Sequence, residues 1–68
     1  MIQLDARGLS CTEPVIMISQ AMKSGDASYE IKVDNHASKE NVTRYAEHQG
    51  YKVSVAEAEG EYTLSITK

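Results

Sequence analysis

A chain of 68 residues is one domain, near the lower size limit for a self-sufficient core and too short for a deep enzyme cleft. With 41% hydrophobic and 25% charged residues it has the composition of a globular domain, not of a disordered segment. A net charge of −3, with no two basic residues adjacent, argues against a nucleic-acid backbone as partner, and the lack of Trp and Phe leaves little of a base-stacking platform.

Met1 to Asp5 alternates Ile2 and Leu4 with Gln3 and Asp5, the period of a half-buried strand. After the glycine-containing stretch Arg7 to Ser10, the apolar residues Val15, Ile18, Ala21 and Met22 recur at helical spacing, which predicts a helix from Glu13 to about Ser24, ended by Gly25 and Asp26. Tyr29 to Asp34 alternates again, with Ile31 and Val33 inward. Ser38 is expected to cap a second helix with the stripe Val42, Tyr45, Ala46 and Gln49, and Gly50 supplies the left-handed residue beyond its end. Two last strands are expected over Lys52 to Ala56, with Val53 and Val55 inward, and Glu61 to Thr67, with Tyr62, Leu64 and Ile66 inward; Glu57 to Gly60 turns between them.

The order is βαβαββ. Each strand has one apolar face, so the fold class is an α+β two-layer sandwich with both helices on one side of a four-stranded mixed sheet. The first two strands, joined through a helix, should run parallel by a right-handed crossover, and the last two antiparallel. Residues 1–68 read as a single domain without repeats or linkers.

The single cysteine, Cys11, cannot form an internal disulfide, which points to a reducing compartment, by default the cytoplasm, or to a chemical use of the thiol. No charged segment followed by an apolar run opens the chain, and no apolar stretch approaches the roughly 18 residues of a membrane span, so no membrane partner is expected. Cys11 falls between the first strand and the first helix and off the apolar stripe of either. Unpaired N–H groups at a helix N-terminus favour a thiolate over a thiol, and Arg7 adds to that field, while Asp5 and Glu13 oppose it. The expected result is a thiol with a modestly lowered pKa. Equally good structural roles exist for its neighbours: a solvated loop cation for Arg7, a favourable first-turn carboxylate for Glu13, and loop-fixing roles for Asp5 and Gly8.

His36 and His48 are remote from Cys11 in sequence, and no CxxC or HxxxH spacing exists, so neither a Cys/His catalytic pair nor a metal or other cofactor is expected. Ile16 and Met17 lie beside the helix stripe, either as surplus core or as an apolar patch near Cys11. What remains is chemistry that needs a nucleophilic sulfur and little else, such as accepting and passing on a sulfur atom.

The run Leu4-Asp5-Ala6-Arg7-Gly8-Leu9-Ser10-Cys11-Thr12-Glu13-Pro14-Val15 resembles the L-D-x-x-G-x-x-C-P-x-P signature of the TusA/SirA/YedF family of small sulfur-carrier domains. A second segment, Val33-Asp34-Asn35-His36-Ala37-Ser38-Lys39-Glu40-Asn41-Val42, is similar to the N-terminal domain of YedF-type proteins, described as selenium-metabolism proteins. The resemblance implies strand order 1-2-4-3 and a persulfide sulfur accepted on Cys11 from a cysteine desulfurase and handed to a downstream acceptor protein. The family's two motif prolines map to Thr12 and Pro14, and only the second is present. With Cys11 as N-cap, Thr12 restores an N–H that proline would remove; alternatively Thr12 itself caps, bonding the Val15 N–H. Pro14 shapes the helix start in both cases. Two other readings fit the same residues: an interaction or regulatory domain that keeps the fold without the chemistry, and a carrier in which Cys11 holds selenium.

Overall fold

The computed structural model describes residues 2–10 and 12–68; Met1 and Cys11 lie outside the described residues. The elements run β1 (Ile2–Asp5), α1 (Glu13–Met22), β2 (Ser28–Val33), α2 (His36–His48), β3 (Lys52–Ala58) and β4 (Glu61–Thr67). The strands form one sheet in the order β1-β2-β4-β3. β1 lies parallel to β2, with Leu4 opposite Ile31, while β4 is antiparallel to both β2 and β3. This is the expected α+β sandwich with its mixed sheet.

Alternation along the strands sends Tyr29, Ile31, Val33, Leu64 and Ile66 to one face, all fully buried, with Ile2, Leu4, Val53 and Tyr62 at the margins. Both helices cover that face. Ile18 of α1 and Val42 and Ala46 of α2 complete the buried cluster, and the four-residue spacing of Pro14 and Ile18, and of Ser38, Val42 and Ala46, puts each set on one side of its helix. The rings of Tyr29 and Tyr51 meet edge to face with centroids 5.9 Å apart.

Several local expectations are corrected. α2 starts earlier than Ser38: Asn35, in an extended conformation, is the N-cap, and its Oδ1 accepts the Ser38 N–H at 2.8 Å. Ser38 therefore sits inside the first turn, fully buried, with an Oγ that makes no hydrogen bond. The end of α2 is a Schellman arrangement, with Tyr51 N–H donating to the Ala46 carbonyl and Gly50 N–H to that of Glu47, both at 3.0 Å, and Gly50 at φ +89°. Gln49, placed on the apolar stripe by spacing, is the exposed C-cap.

The final hairpin is tighter than expected. β3 continues to Ala58, paired with Glu61, and only Glu59 and Gly60 turn, at φ +54° and +80°. Two consecutive left-handed residues match the right-handed twist of the flanking strands. Val55 is 45% exposed because it lies toward the hairpin end of an edge strand. At the other end of the chain α1 stops at Met22 with Lys23 as C-cap, and Gly25 reverses the backbone at φ +79°.

Candidate functional site

The parallel pairing of β1 and β2 carries on one residue past β1, through an Ala6 N–H to Lys32 carbonyl bond of 2.8 Å. Ala6 is 1% exposed and anchors the start of the motif loop. The next residues turn away from the sheet under side-chain control. Gly8 adopts φ +78°, a conformation costly for a residue with a Cβ, and its N–H donates to Asp34 Oδ2 at 2.8 Å. Asp34 follows β2 directly, and its other oxygen accepts from Asn35 Nδ2 at 3.2 Å. One carboxylate therefore links the motif loop to the start of α2.

Arg7 closes the loop from the other side. Its backbone N–H and its Nε both donate to Asp5 Oδ1, at 3.1 and 2.9 Å, and Nη2 donates to Asp5 Oδ2 at 2.8 Å. Nη1 reaches Glu61 at 3.3 to 3.4 Å, across to the start of β4. The Arg7 hydrogen bonds hold the Asp5 carboxyl at about 2, below its ordinary 3.8, and the Asp5 hydrogen bond raises the guanidinium pKa in return. Two carboxylates thus offset the Arg7 charge that sequence reasoning assigned to the field at the cysteine.

Beyond the loop, Ser10, Thr12 and Glu13 are exposed. Of the two alternatives for the helix start, Thr12 is the N-cap of α1, in a helical conformation (φ −90°, ψ −25°); its carbonyl accepts the Ile16 N–H, but its side chain makes no capping bond, so the Val15 N–H bond of that alternative does not form. The Glu13 N–H donates to the Ser10 carbonyl at 3.1 Å. Pro14, the second residue of the helix, is buried and supplies the fixed φ that suits a first turn. Cys11 itself lies outside the described residues; its chain neighbours Ser10 and Thr12 are both exposed.

The site-residue assignments of Asp5, Arg7, Gly8, Thr12, Glu13 and Pro14 thus fall into two groups. Asp5, Arg7 and Gly8 form the pinned loop, and Thr12, Glu13 and Pro14 form the helix start it leads into. Sequence reasoning missed Asp34 and Glu61. A signal for Asp34 exists: parallel strands end at the same edge, so an acid just after β2 lies within reach of the loop just after β1. His36 and His48 are both exposed, and His36 Nε2 lies 3.0 Å from Glu40 Oε1. Of the two apolar residues beside the stripe, Met17 packs against the core and Ile16 is 52% exposed. Among the described residues no group of three His, Cys, Asp or Glu side chains is arranged to hold a metal ion, and no helix is long and apolar enough to cross a membrane.

The βαβαββ sandwich, with its motif loop leading into the first helix, defines a small two-layer α+β domain of 68 residues. The family described as sulfurtransferase TusA matches residues 2–68, and the chain belongs to that family. It is similar to the SirA-like protein from Desulfitobacterium hafniense, whose crystal structure aligns with a TM-score of 0.90 at 34% identity, over 98% of this chain and 96% of that one. No curated protein sequence matches. Family membership carries a sulfur-carrier role for the domain.

Proposed function

We propose that the protein is a persulfide carrier in which Cys11 accepts a sulfane sulfur from a cysteine desulfurase and passes it to an acceptor protein. The observation that carries this reading is the motif loop: a glycine held at positive φ by Asp34 and an Arg7 clamped by Asp5 and Glu61 lead directly into an exposed helix start. Such a loop holds its place without the rest of an active site, which a partner can then provide. Helix first-turn donors favour the anionic sulfur.

The transfer balances without an external oxidant. The Cys11 thiolate attacks the outer sulfur of the donor's persulfide; a bond from Cys11 Sγ to that sulfur forms, the donor's S–S bond breaks, and the donor cysteine leaves as thiolate. Delivery repeats the step in reverse, with an acceptor thiolate attacking the outer sulfur and Cys11 leaving.

Intact mass after incubation with a cysteine desulfurase and cysteine tests the reading. The expected result is a gain of one sulfur atom that thiol reductant removes and that Cys11→Ala abolishes. A folded wild-type protein whose thiol alkylates normally but gains no sulfur would assign the fold to an interaction role instead.

A further inference from the structure

The first turn of α1 and the C-terminal half of α2 leave an open groove of about 670 Å³ between them. Thr12, Val15 and Ile16 line one side, and Arg44, Tyr45 and His48 the other. Thr12 is the residue after the motif cysteine, so the groove begins one residue from the transfer position. Three features separate it from the rest of the surface. Ile16 is one of two large hydrophobic side chains that stay exposed among the described residues, the other being Val55 on the far edge strand. Arg44 is exposed, and among the described residues no carboxylate lies within ion-pair distance of it, although Glu40 and Glu47 flank it on the same helix. The groove's lining contains no acidic side chain, in a chain of net charge −3.

We propose that this groove docks a segment of the partner protein that presents an apolar side chain next to a carboxylate. The apolar side chain seats against Val15, Ile16 and Tyr45, and the carboxylate meets the Arg44 guanidinium, whose planar donors suit a bidentate carboxylate. The volume accommodates a few side chains, not a folded domain, so the occupant is a short segment. One arginine in an acidic protein does not suit a phosphate backbone, which needs clustered cations. The inference rests on the carrier reading only in naming the partner as a sulfur donor or acceptor.

The test uses the Cys11→Ser protein, so that no sulfur chemistry enters, and follows its backbone amides while adding a blocked Ser-Leu-Leu-Glu-Glu peptide into the millimolar range. The Gln-Gln and Lys-Lys counterparts of that peptide, and acetate alone, are titrated in parallel. Shifts should gather at Ile16, Arg44, Tyr45 and His48, and the Gln-Gln peptide should bind about threefold more weakly, the size of one exposed ion pair. Arg44→Glu should reverse the ranking in favour of Lys-Lys. If that variant does not fold, Arg44→Gln should make the Glu-Glu and Gln-Gln peptides equivalent. Equal binding of all three peptides to the Cys11→Ser protein, shifts on the open sheet face, or no shifts at all would overturn the proposal. Acetate reproducing the shifts with equal affinity would reduce the site to a small-anion contact, and concentration-dependent shifts without peptide would assign the groove to a second copy of the chain; each also overturns it. Failure here leaves persulfide loading of the wild-type protein standing, and failure of loading leaves this result standing.

Discussion

The two helices begin in opposite ways. α2 starts on an extended Asn35 whose side chain satisfies the Ser38 N–H, and it ends in a fully bonded Schellman turn. α1 starts on a Thr12 that is already helical, with no side-chain cap, and owes its position to the buried Pro14 and Ile18 and to a loop held from outside the helix by Asp34, Asp5 and Glu61. The helix without the motif cysteine carries its own end-capping; the helix that follows the cysteine borrows its order from distant residues. The lesson is that a helix start can be positioned by a loop pinned from elsewhere, which leaves its first-turn backbone donors free of side-chain caps.

The comparison is most severely tested by Ile18→Ala. Ile18 is fully buried in α1, and its truncation should cost about 3 kcal/mol in urea unfolding. A loss as small as a surface change would mean that the loop alone holds α1. Next in size, Asn35→Ala should lower stability by about 1 kcal/mol, whereas Thr12→Ala stays within about 0.5 kcal/mol. Equal losses would erase the difference between the two helix starts.

Asp34→Ala should act locally, costing about 1 kcal/mol and speeding hydrogen exchange at the Gly8 amide, while Asp34→Asn keeps an acceptor and restores most of the protection. The smallest effect concerns pH. The Asp5 carboxyl is held at about 2 against an ordinary 3.8, so its contribution is complete above pH 3.8 and disappears as the pH falls through about 2. Asp5→Asn should therefore flatten the acid side of the stability profile in that window, whereas the uncharged Asn35 cap contributes equally on both sides of it.

All six elements were readable from periodicity because each buries one face, and a one-face pattern fixes both the element type and its inward residues. The misplacements arise where a residue's type suits two positions or where burial depends on its neighbours. Asn35 and Ser38 are both good caps, and the choice fell to Asn35 because Ser38 packs inward beneath the helix. Val55 alternates correctly but is exposed, since strand order puts β3 at the sheet edge. Of the site, the motif and its cysteine were legible because they are contiguous. The partners of the motif loop were not, because Asp34 lies 26 residues from Gly8 and Glu61 lies 54 from Arg7, and their meeting depends on the completed sheet.

That last contact makes the support of the motif loop depend on the closing of the sheet. β4 is the final strand of the chain, yet it occupies an interior place in the sheet, between β2 and β3, and Glu61 at its start reaches back to Arg7. Arg7 therefore gains its Glu61 contact only once β4, carried by the β3–β4 hairpin, has paired with β2. The β3–β4 hairpin that closes the sheet on β2 thus also completes the support of the motif loop, and a change that weakens that pairing loosens the loop from a distance.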